Sequence, residues 1–244
     1  MDDPSTQVLR VSTTHGYREL TFDRPGSLNA FNQDLWYAAA EALDAAAEDD
    51  EVRCVVFTGA GRAFSAGQDL GEMSNPSAFA ERPPGYQRFM PSLETFPKPI
   101  VAAVNGVAVG IGTTMLLHCD LVYVARSARL KLPFISLGVT TEASASLLLP
   151  ERVGWQRAAE ILFTEPWITA DEAVADGLAR AVVDDDDLLA VARSVAAGIG
   201  GLPLGPVVAT KRLMLAGRAE AVAAARLREL AEFETLVGGM LGGD

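Results

Sequence analysis

The sequence predicts an α/β protein built around a mostly parallel sheet, and three observations lead there. Short β-branched, apolar runs recur along the chain at Cys54–Thr58, Pro99–Val104, Leu121–Ala125 and Leu178–Val183. Helical patterns lie between them, and strands that alternate with helices imply βαβ units. The first two runs each stop at a glycine-bearing turn, Gly59-Ala60-Gly61 and Asn105-Gly106, where a strand hands over to a loop. With 244 residues, 49% of them apolar, the chain has enough material for a sizeable core in one α/β unit.

In chain order, Gln7–Ser12 and Arg18–Phe22 alternate as strands do, and His15-Gly16 is the turn of an opening hairpin. Asn32 reads as the N-cap of an Ala-rich helix that runs to about Glu48. Gly71–Phe96 holds four prolines and reads as a loop with a short helix near Tyr86–Leu93. Pro99 to Cys119 has no Asp, Glu, Lys or Arg, a length that suggests a membrane span. Asn105 and three glycines divide it instead into a buried strand and a buried helix. From Asp186 onward the pattern is helical, broken at Gly198–Gly201 and by Pro203 and Pro206. The Asp184–Asp187 run reads as a solvated helix start favoured by the macrodipole.

Charge and cysteine content narrow the function classes. Twenty Lys and Arg against thirty-two Asp and Glu give a net charge of −12. That balance repels nucleic acid and anionic membrane surfaces, so neither is expected as a partner. Cys54 and Cys119 stand alone, which fits a reduced, cytoplasmic-type compartment. MDDPSTQ is acidic and has no basic n-region, so no signal peptide is expected. No His/Cys/Asp grouping suggests a metal; His15 and His118 lack the pattern of a triad, and His118 reads as structural.

Two glycine-bearing segments follow predicted strands: Gly61 to Leu70, and Asn105 to Thr113. Glycine at such a junction lets a ligand approach the backbone, and free N–H groups there can receive developing negative charge. Together with other residues these segments resemble a known family. Arg24-Pro25 with Asn29-Ala30, Ala63-Phe-Ser-Ala-Gly-Gln-Asp-Leu70, and Lys98-Pro-Ile-Val-Ala-Ala-Val-Asn-Gly106 are similar to the signature of the crotonase (enoyl-CoA hydratase/isomerase) superfamily. Pro133–Gly138 and Val153-Gly154 fall at matching spacing.

The resemblance implies a spiral of ββα units over residues 1–195, with an acyl-CoA site, and a C-terminal helical region over 196–244 that builds a homotrimer or a hexamer of two trimers. It implies an oxyanion hole made by the backbone N–H groups of Gln68 and Ile111. It implies an acyl-CoA thioester as substrate, with no cofactor beyond the coenzyme A that the substrate carries. The CoA is expected against the backbone of Ala63, Ser65 and Ala66, with Leu28, Ala30, Asp69, Leu70, Gly110 and Phe134 lining the site. Arg24 is the expected phosphate contact, with Lys98 and Lys211 behind it.

The two glutamates that hydratases of the family use fall on Thr114 and Phe134 here, and neither side chain shuttles a proton. A carboxylate stands nearby at Glu142, after Leu137-Gly-Val-Thr-Thr. This resembles the peroxisomal-type Δ3,Δ2-enoyl-CoA isomerases, as does Val109-Gly110-Ile111 in place of a triple glycine. Glu142 opens a helical segment over Ser144–Leu149 and is flanked by Leu137, Val139, Ala143 and Leu147. Apolar surroundings raise a carboxyl pKa towards neutrality, as a general base needs. The expected activity is therefore an enoyl-CoA isomerase with Glu142 as its single acid/base. The alternatives are epoxyaryl-CoA isomerisation, hydration, and a non-catalytic acyl-CoA-binding protein.

Overall fold

The computed structural model describes residues 7–73, 75 and 82–241. Residues 74 and 76–81 of the expected Gly71–Phe96 loop lie outside the described residues. Strands β1 (Leu9–Thr14) and β2 (Tyr17–Phe22) form the opening hairpin. Its turn residues His15 and Gly16 have φ of 47° and 77°, the positive values a two-residue hairpin turn requires. Helix α1 (Gln33–Glu48) starts at Asn32, whose side chain accepts the Leu35 N–H at 3.0 Å.

Two sheets then grow in step. A six-stranded sheet runs β1-β2-β3-β5-β7-β10, with β3 (Cys54–Gly59), β5 (Ile100–Val104), β7 (Leu121–Ala125) and β10 (Ala181–Val183). Every pairing in it beyond the hairpin is parallel. A smaller sheet runs β4-β6-β8-β9, with β4 (Ala63–Ser65), β6 (Val107–Val109), β8 (Arg129–Lys131) and β9 (Ile168–Thr169). β3, β5 and β7 each feed a short strand of the second sheet, which is the spiral repeat. The sequence patterns showed the long strands but not the short ones, because two or three residues carry no readable alternation.

Two asparagines staple successive turns of the spiral. Asn29 donates to the carbonyls of Ala60 and Ala63, at 2.9 and 2.7 Å. Asn105 accepts the Gly59 N–H at 3.0 Å and donates to Gly59, Gly61 and Ala63 carbonyls. Gly106 follows at φ 65°, where a Cβ would meet the Arg62 carbonyl oxygen at 2.0 Å. Only glycine fits that approach.

The remaining helices complete the frame. They are α2 (Leu70–Met73), α3 (Gly85–Glu94), α4 (Ile111–Thr114), α5 (Ala145–Val153), α6 (Trp155–Thr164), α7 (Ala170–Ala175), α8 (Leu188–Gly200), α9 (Leu204–Ala216) and α10 (Ala219–Leu241). α8 packs on β3 and β5 and contains residue 195, and a non-helical 201–203 separates it from α9. Pro206 does not interrupt α9: it sits in the first turn, where its missing N–H is unneeded. The uncharged Pro99–Cys119 stretch is β5, β6, α4 and a 3-10 turn over Met115–His118, nearly all of it buried. No single helix among the described residues is long and apolar enough to cross a membrane. Asp184 and Asp185 bind Arg126 and the Ser127 N–H at the surface, and no metal-ligating cluster occurs among the described residues.

Candidate active site

The first half of the site is two neighbouring glycine peptides. Phe31 donates to the Gly67 carbonyl at 2.7 Å and accepts the Asp69 N–H at 2.9 Å, a parallel bridge that spans Gln68. In such a bridge the intervening residue turns its own N–H to the opposite side. Gly110 is close to this turn: a Cβ on Gly67 would lie 2.8 Å from the Val109 oxygen and 3.8 Å from the Gly110 Cα. Gly67 has φ 93° and Gly110 φ 53°, and Ile111 opens helix α4, so its N–H has no partner within that helix. The peptide N–H groups of Gln68 and Ile111 are thus borne by adjacent turns. The Phe134 ring approaches the same spot, 4.0 Å from where a Gly110 Cβ would be.

The first peptide is braced from below. Ser65 accepts the Gly67 N–H at 3.1 Å and donates to the Asn29 carbonyl at 2.9 Å. The Gln68 side chain accepts the Trp36 indole N–H at 2.9 Å. Trp36 meets Tyr86 of α3 edge-on, with centroids 5.6 Å apart. Gly85 makes this possible, since a Cβ there would sit 2.4 Å from Trp36 Cβ. Tyr86 then accepts the Ala143 N–H at 2.9 Å. An unbroken chain of contacts therefore runs from Gln68 to the residue after Glu142.

Glu142 is half-buried. Among the described residues no hydrogen bond or ion pair holds its carboxyl. Burial pushes it up to about 8, and the nearby Glu229 carboxylate adds to the rise. Of the apolar neighbours expected from the sequence, Ala143 is buried and Val139 and Leu147 pack against the core, while Leu137 is exposed. Nor does Glu142 cap a helix, because Ala143 and Ser144 follow it at φ 58° and 59° and α5 begins only at Ala145.

Left-handed backbone at a non-glycine costs on the order of 1–3 kcal/mol and persists where neighbours over-determine it. Here they do. His118 Nε2 donates to the Ala143 carbonyl at 2.8 Å, and Ser144 Oγ donates to the Val222 carbonyl at 2.9 Å. Burial lowers His118 to about 4, so it is a neutral structural donor, as expected.

The remaining expected residues lie mostly around these turns. Leu28, Ala30, Ala63, Ser65, Ala66 and Asp69 lie on the two segments, 24–31 and 60–69, that Asn29 and Ser65 tie together. Leu70 is exposed beside them, while Ala63 and Ser65 are buried and offer only backbone. Thr114 is buried with its hydroxyl turned to the Gly110 carbonyl. Arg24 is held by Asp69 at 3.0 Å and also donates to the Ala30 carbonyl, so its charge is already partnered.

Two expectations fail. Lys98 is 2% exposed and donates to the carbonyls of Ala46 and Asp49, closing the C-terminal end of α1. Lys211 is 4% exposed and pairs with Asp120 at 2.6 Å. Both are interior braces and neither faces a phosphate. Sequence reasoning also missed Trp36, Tyr86 and Glu229.

Comparison with known proteins gives this geometry its family. A family model described as enoyl-CoA hydratase/isomerase matches residues 13–236. The chain belongs to the enoyl-CoA hydratase/isomerase family. A solved enoyl-CoA hydratase/isomerase from Pseudoalteromonas atlantica T6c superposes with a TM-score of 0.92 at 38% identity, covering 95% of this chain and 92% of that one. The 1,2-epoxyphenylacetyl-CoA isomerase of Escherichia coli K12 is 37% identical over 77% of this chain and 74% of its own length. Enoyl-CoA delta isomerase 2 of Rattus norvegicus is 37% identical over 71% of this chain and 46% of its own. The enoyl-CoA hydratase/isomerase fold thus explains the two stapled turns, and the spiral expected from the sequence is the one observed.

Proposed function

We propose that this enzyme moves the double bond of a 3-enoyl-CoA to the 2-position, with Glu142 as the only acid/base. The Glu142 carboxylate takes a proton from C2, and the electron pair moves into the thioester to give an enolate. The N–H groups of Gln68 and Ile111 hold the enolate oxygen. The same carboxylic acid then returns the proton at C4 as the enolate collapses, leaving the C2–C3 double bond. Atoms and electrons balance without a co-reactant, and coenzyme A enters only as part of the substrate.

One observation supports this reading: among the described residues no hydrogen bond or ion pair holds the Glu142 carboxyl, whose ionisation burial opposes, while Thr114 and Phe134 stand where the family resemblance puts the two hydratase glutamates. An apolar ring beside Gly110 favours exclusion of water over its activation. The test is conversion of 3-enoyl-CoA to 2-enoyl-CoA by the purified protein and by Glu142→Gln. A loss of about 10²–10⁴ in kcat with substrate binding retained is expected; an unchanged rate in Glu142→Gln removes Glu142 from the mechanism.

A second reading has its own support, since the Escherichia coli relative named above rearranges an epoxide rather than an alkene. Turnover of 1,2-epoxyphenylacetyl-CoA exceeding that of 3-enoyl-CoA would select it. We further propose that copies assemble as a trimer. The support is apolar surface left uncovered on the single chain, including Trp155 at 78% and Phe163 at 74% exposure.

A further inference from the structure

The turn that carries Glu142 is gripped by a residue far away in the chain. Glu229 lies on α10, 85 positions downstream of Ser144, and is buried. Its Oε2 accepts the Ser144 N–H at 2.7 Å and its Oε1 accepts the Ser146 N–H at 2.8 Å. One carboxylate therefore bridges Ser144, the second of the two left-handed residues after Glu142, and the first turn of α5. A second carboxylate, Glu94 of α3, meets the Ser144 hydroxyl at 3.4 Å but is neutralised by Arg226 at 2.9 Å. Glu229 has no cation among the described residues.

We propose that Glu229 is a positioning residue for Glu142: its carboxylate holds the backbone that aims the base, and so carries its charge on the turn next to Glu142. The inference rests on the reading of Glu142 as the acid/base. The groups around Glu142 support it from each element packed there. α3 contributes Tyr86, a neutral phenol that burial raises well above its ordinary value, and Glu94, already paired. The 3-10 turn before β7 contributes neutral His118, and α10 contributes Arg226, spent on Glu94. That leaves Glu229 as the uncompensated charge acting on Glu142, and it is the charge that raises it after burial itself.

Two variants, read by different observables, test the backbone grip and the charge. Glu229→Gln removes the charge and, with a single acceptor oxygen, keeps one of the two backbone bonds, while Glu229→Asp keeps the charge and both acceptors but withdraws them by one methylene. The charge opposes ionisation of Glu142, so its removal should make the base available at lower pH. With 3-enoyl-CoA as substrate, the acid limb of kcat for folded Glu229→Gln should move down by about half a pH unit or more, a shift a merely structural role does not produce. Glu229→Asp should lose kcat about tenfold with KM within twofold of the parent and the acid limb unmoved.

An acid limb in Glu229→Gln that coincides with the parent's overturns the proposal, whatever its kcat. If that variant does not fold, Glu229→Asp decides: parental kcat, or a loss carried by KM, overturns it. Glu142→Gln run alongside distinguishes the two failures. If Glu142→Gln is as active as the parent, the base assignment itself fails. If Glu142→Gln is inactive and the Glu229 variants behave as the parent, only the positioning role fails.

Discussion

An unfolded glutamate ionises near 4.5, whereas burial lets Glu142 hold its proton up to about 8. Between those values the unfolded chain releases a proton that the folded chain keeps, so rising pH favours unfolding through this residue. The penalty is absent below pH 4.5, grows through neutrality and is complete above about 8. Glu142→Gln cannot ionise and should escape it. Thermal melts should show the variant more stable than the parent by a margin that widens from pH 5 to pH 8, at about 2–4 °C per kcal/mol for a chain of this size. A margin that is flat in pH would mean that Glu142 is not held neutral. The same ionisation gives the activity its opposite slope. A base must be deprotonated, so kcat/KM of the parent should rise across neutrality and level off above about pH 8. Stability is thus given up at the one residue whose ionised form the reaction uses.

At the scale of elements, the two peptide N–H groups lie together because α4 sits directly on β4. Gly112 of α4 has ordinary backbone angles, yet a Cβ there would meet the Ser65 carbonyl oxygen at 2.6 Å. That oxygen is backbone and cannot swing away, so Gly112→Ala should push α4 off β4 and separate the Ile111 N–H from that of Gln68. Loss of one such donor costs about 10²–10³ in kcat. Gly112→Ala should therefore lose that factor in isomerase turnover while its circular dichroism stays native; a change confined to KM would argue against the paired peptides. The glycines of these turns were legible in the sequence because they stand at the ends of strongly apolar strands. Glu142 was legible as a carboxylate after a Pro-Phe run. The surroundings of Glu142 were not, since Tyr86, His118 and Glu229 reach it from three separate elements and no local pattern joins them. Some signal existed for Glu229: Val222, Ala225 and Glu229 share one buried stripe of α10, and an acid in such a stripe needs a partner. Lys98 and Lys211 erred the other way, because a lysine that closes a helix or pairs with an aspartate reads in sequence like any surface cation.

For the molecule as a whole, two features pull against each other when copies meet. A net charge of −12 on each chain opposes association. Against it stand large apolar side chains that the single chain leaves to water: Trp155 and Phe163 on α6, and Leu213 and Met214, at 74% and 64% exposure, on α9. Isolated exposed leucines are ordinary, but bulky aromatics this bare are the surface that the proposed trimer would cover. The proposed trimer makes a definite claim about mass. Light scattering coupled to size exclusion should give about three times the 25.8 kDa of one chain. Charge added to these faces joins the repulsion already present, so the double variant Phe163→Glu with Leu213→Glu should shift the mass to that of one chain at low salt. Screening should recover part of the assembly as salt rises, because the added repulsion falls off within a Debye length of about 8 Å at physiological ionic strength. A double variant that keeps the parental mass at every salt concentration would show that α6 and α9 lie outside the interface. A parent that runs as a single chain would remove the trimer, while leaving Gln68, Ile111 and Glu142, all carried by one chain, with the roles proposed for them.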